Sequence, residues 1–201
     1  MPYHRYVFDL KKKKFIGKFE EMYQREDIED FDSWFSSDLT HLTKLISLTI
    51  LNRYNFESIL DFGCGKGAFT HILKKRNNYV LGLDISKTAI KKAKVNYGNK
   101  IDFKVIQDND FTSFVEKQKF DLTIILETLS YIRDWRKVIE DISKFSIYIY
   151  LSLYIPKNPI GFVKSFRELI REIEKYFCIK EKIIYNDESI FILAKNLSKE
   201  V

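Results

Sequence analysis

Residues that could do chemistry fall within one short stretch, Asp61-Phe62-Gly63-Cys64-Gly65-Lys66-Gly67, and a second acidic residue, Asp84, follows 17 positions after the last glycine. Glycines let a chain turn tightly and let a ligand approach the backbone with no Cβ in the way. If such a turn opens a helix, free N–H groups and a positive dipole end face the same spot. A carboxylate at the place of Asp84 can accept both hydroxyls of a ribose. These types in this order point to a nucleoside-containing cofactor. Gly63, Gly65 and Ala68 also satisfy G-x-G-x-x-A, the dinucleotide fingerprint. Three features argue against a nicotinamide. Asp61 lies two positions before the first glycine, where it suits a cationic or amino group better than a pyrophosphate. A helical preface of 55 residues precedes the motif. The one Tyr-x-x-x-Lys, Tyr176 to Lys180, straddles an expected helix-to-strand junction.

The elements around the turn must hold it in place. From residue 58, strand-like and helix-like runs alternate. Strands are expected at 59–62, 79–83, 101–106, 120–126 and 147–153. Helices are expected at 68–76, from a cap at Ser86 to about 97, at 135–145 and at 163–177. Two last strands, 179–185 and 190–194, are separated by Asn186-Asp187-Glu188-Ser189, a gap short enough for a hairpin. The run 120–126 is apolar throughout, as a central parallel strand buried on both faces should be. The alternation predicts an α/β fold: a doubly wound seven-stranded sheet, mostly parallel with an antiparallel C-terminal hairpin strand, plus N-terminal helices. In the preface, residues 10–25 can be helical, with Phe15, Phe19 and Met22 on one face. Residues 26–38 are acidic and irregular around Trp34 and Phe35. Residues 39–54 form a better helix, with Leu42, Leu45, Ile46 and Ile50 at core spacing and Asp38 or Thr40 as cap. Residues 1–55 therefore read as a helical lid or cap on a core of 56–201, within one domain.

Composition narrows the class. Of the 201 residues, 45% are hydrophobic and 31% charged, which excludes a disordered, collagen-like or disulfide-scaffold chain. The two cysteines, Cys64 and Cys178, are too few for a disulfide framework and fit a reducing cytoplasm. No run approaches the ~18 apolar residues of a membrane span, and no signal peptide is expected from Met-Pro-Tyr-His-Arg. The net charge of +6 suits an acidic partner such as a phosphate-bearing substrate. Because 26 of the 34 basic residues are lysine, coding bias is the preferred explanation of the charge taken alone.

Four segments in order carry a family resemblance. Residues 59–67 resemble motif I of the class I S-adenosylmethionine (SAM) methyltransferases. Val80-Leu81-Gly82-Leu83-Asp84-Ile85-Ser86 resembles their second-strand motif, and Gln107-Asp108-Asn109-Asp110-Phe111 the loop after their third strand. Residues 120–132 (Phe120-Asp121 through Leu126-Glu127-Thr128-Leu129-Ser130-Tyr131) resemble their fourth-strand motif. The resemblance spans about residues 56–194. It implies SAM as cofactor, with Asp61 near its amino acid moiety and Gly63, Cys64 and Gly65 passing close to its methionyl and ribosyl parts. Asp84 would hold the ribose hydroxyls and Ile85 would pack on the adenine. Asp108 would accept from the adenine amino group, with Asn109 N–H on a ring nitrogen and Asp110 an alternative acid. Leu126 and Glu127 would border the methyl donor. Segments around Tyr23 and Trp34 resemble the N-terminal lid of small-molecule methyltransferases.

SAM arrives activated, so a methyltransferase mainly aligns its reactants and excludes water, and needs a base only for a protonated acceptor. Candidates at the acceptor are Glu127, as base or amine-orienting group, and Tyr131, standing where many relatives place His. Tyr23 is the best lid residue, and His41 lies on the preface helix. Arg133 and residues 155–161 are further acceptor contacts. No Asn/Asp-Pro-Pro-Tyr or Pro-Cys follows the fourth strand, which argues against DNA-base methylation, and no carboxylate cluster points to a metal. The preferred reading is methyl transfer to O or N of a small molecule by a monomer or homodimer that needs neither nucleic acid nor membrane. The chain is similar to small bacterial methyltransferases of polysaccharide and capsule pathways, so a phosphorylated or nucleotide-linked precursor is an acceptor of interest. Alternatives left open are an RNA or protein methyltransferase docking through Lys11 to Lys14, Lys91, Lys92 and Lys94, a non-catalytic SAM-binding subunit, and a dinucleotide oxidoreductase.

Overall fold

The structure is a computed structural model that describes residues 3–106 and 118–199. Its N-terminal segment departs from the long helix expected over 10–25. One helical turn, α1 (His4–Val7), leads into a small hairpin of β1 (Phe8–Asp9) and β2 (Lys14–Phe15). Phe8 and Phe15 face each other across this ladder, with ring centroids 6.0 Å apart. Lys13 and Gly17 take left-handed φ values of 48° and 69°, which a helix cannot accommodate. The helix proper, α2 (Phe19–Glu29), therefore starts later and runs into the stretch expected to be irregular.

A 3-10 turn at Ser33–Phe35 follows, with Trp34 and Phe35 both at positive φ. Two charged side chains hold it. Glu26 accepts from the Ser33 N–H at 2.9 Å and from its hydroxyl. The Lys44 ammonium donates to the carbonyls of Phe35, Ser36 (3.1 Å) and Asp38 (2.7 Å). Lys44 lies on α3 (Leu42–Leu51), a helix shorter than expected and turned differently about its axis. Leu42 and Leu45 face outward, 44% and 46% exposed, because Lys44 must reach those carbonyls and Ser47 must accept from the Tyr150 hydroxyl (2.9 Å). Neither Asp38 nor Thr40 caps α3. Asp38 instead accepts from the Thr40 N–H (2.8 Å) in a turn ahead of the helix.

The remainder follows the expected alternation: β3 (Ser58–Phe62), α4 (Ala68–Leu73), β4 (Tyr79–Asp84), α5 (Lys87–Tyr97), β5 (Asp102–Val105) and β6 (Phe120–Leu126), then α6 (Trp135–Phe145), β7 (Ser146–Tyr154), α7 (Phe166–Glu174), β8 (Phe177–Tyr185) and β9 (Ser189–Asn196). The sheet order is β5-β4-β3-β6-β7-β9-β8, and β9 runs antiparallel to both neighbours. Ser86 caps α5, its Oγ accepting from the Ala89 N–H at 3.0 Å. Ile50, Phe69 and Ile90 from α3, α4 and α5 pack in one core, and Trp135, Ile139 and Leu169 from α6 and α7 in the other. Chain progression reverses between β3 and β6, and the crevice beyond their C-terminal ends is where open α/β sheets bind ligands. Among the described residues no helix is long and apolar enough to cross a membrane.

The N-terminal segment is fastened over that crevice by charge. The Glu26 carboxylate, 3% exposed, bonds Lys66 of the turn after β3 and Lys92 of α5, each at 3.0 Å. Removing one partner of a buried ion pair leaves the other uncompensated, which typically costs 3–5 kcal/mol. Both lysines keep some solvent contact, so Glu26→Ala should lower unfolding free energy by about 2–3 kcal/mol. Urea titration checks this; a loss below about 0.5 kcal/mol would show that the network carries no net stability.

Candidate active site

The turn between β3 and α4 is built from main-chain bonds. The N–H groups of Gly63 and Cys64 both donate to the Leu83 carbonyl of β4, at 2.8 and 2.9 Å. The Gly67 N–H returns to the Cys64 carbonyl at 3.0 Å, and Gly67 caps α4 at φ 80°. Gly63 could carry no side chain: a Cβ there would lie 2.4 Å from Thr128 Oγ1, in the segment after β6. The crevice wall thus depends on a glycine pressed against a threonine.

Two carboxylates lie at the ends of the adjacent strands. Asp84, 8% exposed, accepts from the Gly65 N–H and the Ser86 N–H, each at 2.9 Å, and so ties the turn to the end of β4. Asp61, 2% exposed, accepts from the Thr70 hydroxyl at 2.6 Å. Burial pushes Asp61 up to about 7, with the neighbouring Asp84 charge adding to the shift and Thr70 opposing it. Burial also raises Asp84, against the pull of its main-chain donors. Among the described residues, no basic side chain bonds to either. A partly buried thiol, Cys64, sits beside them and is pushed well up by desolvation and by both carboxylates.

The strand across the crevice supplies a third carboxylate. Leu126 ends β6 partly buried, and Glu127 follows at φ 54°, a left-handed conformation that costs a non-glycine residue about 1–3 kcal/mol. Surrounding bonds hold it there. Glu127 N–H donates to the Ser152 carbonyl (2.9 Å), Oε1 accepts from the Ser152 hydroxyl (2.8 Å), and Oε2 accepts from the Tyr154 N–H (2.7 Å). Burial raises its pKa while those donors oppose the rise. Tyr131 lies farther along the same segment, stacked on Phe15 at 6.0 Å, with Trp34 at 5.3 Å and Phe19 at 5.5 Å. Burial, with Glu127 nearby, pushes its phenol far above the ordinary range.

The α2 helix closes the site from above. Tyr23, 4% exposed, places its hydroxyl 2.8 Å from where a Cβ on Gly65 would stand. Glu20 accepts from the hydroxyls of Ser86 and Thr88, each at 2.6 Å, at the start of α5. An open cavity of about 510 Å³ lies beside this contact, lined by Phe19, Glu20, Gln24 and Ile85, the last 48% exposed.

Asp61, Gly63, Cys64, Gly65 and Asp84 thus meet on one side of the crevice, Leu126, Glu127 and Tyr131 on the other, and Tyr23 above. His41 does not join them. It is exposed and stacks on Phe35 at 5.6 Å, next to the turn that Lys44 holds. Asp108 and Asn109 lie outside the described residues. Sequence reasoning missed Thr70, Ser152, Glu20 and the Lys66–Glu26 pair. Thr70 alone had a readable signal, since it lies one α-helical turn inside the helix that the glycine turn opens.

Residues 55–186 match the methyltransferase domain family. The chain belongs to that family. Within it, a curated relative, the ubiquinone biosynthesis O-methyltransferase of Pelagibacter ubique, is 28% identical over 116 residues, 56% of this chain and 43% of the relative's own length. The chain thus matches under half the length of that relative. The methyltransferase-domain chain shares its fold with the N-methyltransferase NodS from Bradyrhizobium japonicum, solved in complex with S-adenosyl-L-homocysteine. The TM-score is 0.69 at 18% identity, covering 89% of this chain and 98% of that one. The PH0226 protein from Pyrococcus horikoshii gives a TM-score of 0.66 at 15% identity, covering 88% and 98%.

The raised Asp61 has a consequence for stability. Its folded value near 7 exceeds its ordinary 3.8, so the folded state holds the proton more tightly. Ionising it costs stability progressively as pH rises from about 4 to 7. Asp61→Asn keeps an acceptor for Thr70 and removes the charge. Its melting temperature should exceed wild type at pH 8, with the gap closing as pH falls toward 4. A variant equally destabilised at both pH values would show that Asp61 is not a buried-charge cost.

Proposed function

We propose that this chain transfers a methyl group from SAM to an oxygen or nitrogen of a small-molecule acceptor. The observation that carries the reading is the pair of buried carboxylates at the ends of β3 and β4, bonded to hydroxyl and main-chain donors and to no basic side chain among the described residues. Buried charge without compensation is costly, and a ligand bearing a cation and hydroxyl donors would relieve it. SAM, a sulfonium with an ammonium group and a ribose, has that chemistry. Asp84 would accept the ribose hydroxyls on lone pairs its main-chain donors leave free. Asp61 would face the amino acid moiety, Gly63, Cys64 and Gly65 would give close backbone approach, and the exposed Ile85 would meet the adenine. Asp108 and Asn109 remain proposed adenine contacts, and Leu126 would border the methyl donor.

Once bound, SAM supplies an activated methyl group. The chain's own residues position the acceptor and keep water out. Residues 1–55 would act as the lid on a core of 56–201, with Tyr23, Phe19 and Trp34 covering the crevice. The similar proteins include both an O- and an N-methyltransferase, so both acceptor atoms belong to the proposal. A phosphorylated or nucleotide-linked surface-polysaccharide precursor would give the net charge of +6 a use. The two free thiols fit a cytoplasmic protein. Of the lysines named for nucleic-acid docking, Lys92 is engaged by Glu26 and Asp27, so that alternative rests mainly on Lys11 to Lys14 at the exposed tip of the N-terminal hairpin.

Calorimetric titration with SAM, S-adenosylhomocysteine and NAD tests the reading. The adenosyl-sulfur ligands should bind in the micromolar range and NAD should not. Asp84→Ala should weaken S-adenosylhomocysteine at least tenfold while the far-UV circular dichroism stays unchanged. NAD binding in place of the adenosyl ligands, or an unaltered affinity in Asp84→Ala, would refute it.

A further inference from the structure

One carboxylate, Glu127, follows β6 on the crevice wall, and backbone strain is tolerated to keep it there. Glu127 is the one positive-φ residue among the described parts of the crevice that is not glycine or in the N-terminal cover. Both of its carboxylate oxygens are pinned from β7, by the Ser152 hydroxyl and by the Tyr154 N–H. Ser152 itself is 1% exposed, and its carbonyl also accepts the Glu127 N–H, so one residue fixes both the main chain and the side chain of Glu127. Each oxygen keeps a lone pair for a further donor.

Other groups that could take a proton are accounted for elsewhere among the described residues. His4 packs edge-on against Tyr3 at 4.9 Å, His41 stacks on Phe35, and His71 stacks on Tyr97 at 4.6 Å. Lys66 is held by Glu26 and Asp32. The phenols of Tyr23 and Tyr131 are raised, so they stay protonated.

From this arrangement we infer that the acceptor is an amine, whose nitrogen is held by Glu127 and gives its proton to that carboxylate, with Ser152 as the positioning residue. The inference rests on the SAM reading above. A carboxylate is too weak a base to ionise an aliphatic hydroxyl, whereas an ammonium is far closer to it in acidity and matches it in charge. Asp61, Asp84 and Glu127 together give the crevice a negative potential in a chain of net charge +6, which favours entry of a cation. The rings of Tyr131, Phe15, Phe19 and Trp34 beside it offer faces that attract an ammonium. The balance is direct. An acceptor ammonium passes one proton to Glu127 and becomes a neutral amine. Its nitrogen lone pair then forms the bond to the methyl carbon as the carbon–sulfur bond breaks, its electron pair remaining on sulfur. The product is a methylated ammonium, and the proton on Glu127 leaves to solvent.

The test pairs amino sugars with their parent sugars, each with and without a phosphate, and measures S-adenosylhomocysteine formation and the methylated atom. The expected result is methylation of amines and not of the matched alcohols. Glu127→Gln should lower kcat/KM for the amine by about 100-fold or more, with S-adenosylhomocysteine affinity within twofold of wild type. Ser152→Ala should lower kcat about tenfold with little change in KM, and Ser152→Thr should restore part of it. A simple packing defect would instead change cofactor affinity and KM together. Methylation at oxygen, full amine turnover by Glu127→Gln, or no amine turnover by protein that binds S-adenosylhomocysteine would each overturn the inference. Absence of S-adenosylhomocysteine binding would overturn the underlying SAM reading instead.

Discussion

Two buried carboxylates at the ends of neighbouring parallel strands set the terms for the rest of this molecule. Asp84 is the tie that fixes the glycine turn to β4, and Asp61 lies below it on β3. A carboxylate shifted from 3.8 to about 7 stores on the order of 4 kcal/mol against ionisation at neutral pH. A fold of ordinary stability, roughly 5–15 kcal/mol, tolerates such a cost at few places. Asp61 lies beside the point where chain progression reverses, and under the proposed reading a cationic, hydroxyl-bearing ligand there would turn the cost into binding energy.

The N-terminal cover is arranged around the same electrostatics. One face of α2 presents Glu20, Tyr23 and Glu26 at three-residue spacing. Glu20 meets the start of α5, Tyr23 lies over Gly65, and Glu26 joins Lys66 to Lys92. The lysine of the glycine turn is thereby neutralised by the cover and not by Asp61 or Asp84. That division leaves the crevice acidic, although the chain as a whole is basic.

The sheet was legible in the sequence because its signals are local. The run from Phe120 to Leu126 and the helix from Trp135 to Phe145 match their expected bounds, and Ser86 caps α5 as its position implied. The hairpin at the end appears as read, with Asn186 and Asp187 at the positive φ values such turns require. The preface was harder to read because tertiary contacts override its periodicity. Phe15 has helical spacing to Phe19 yet pairs with Phe8 across a ladder. Lys44 and Ser47 are drawn inward on α3 by carbonyls and by Tyr150, which forces Leu42 and Leu45 out. Around the crevice, the glycine turn and the strand-end acids stand out in the sequence as a contiguous motif followed by one more carboxylate, and the resemblance supplies their proposed roles. Ser152 does not stand out, because its partner Glu127 is 25 residues away and the pair meets only when β6 and β7 align.

The central claim is that the buried acid on β3 answers a positively charged ligand, and proton exchange reads this directly. Titrating SAM into the protein at pH 7 in two buffers of different ionisation enthalpy measures the protons released on binding. An Asp61 partly protonated before binding and ionised afterward should release a measurable fraction of a proton per site. The release should vanish in Asp61→Asn. SAM binding with no proton released by the wild-type chain would contradict the account.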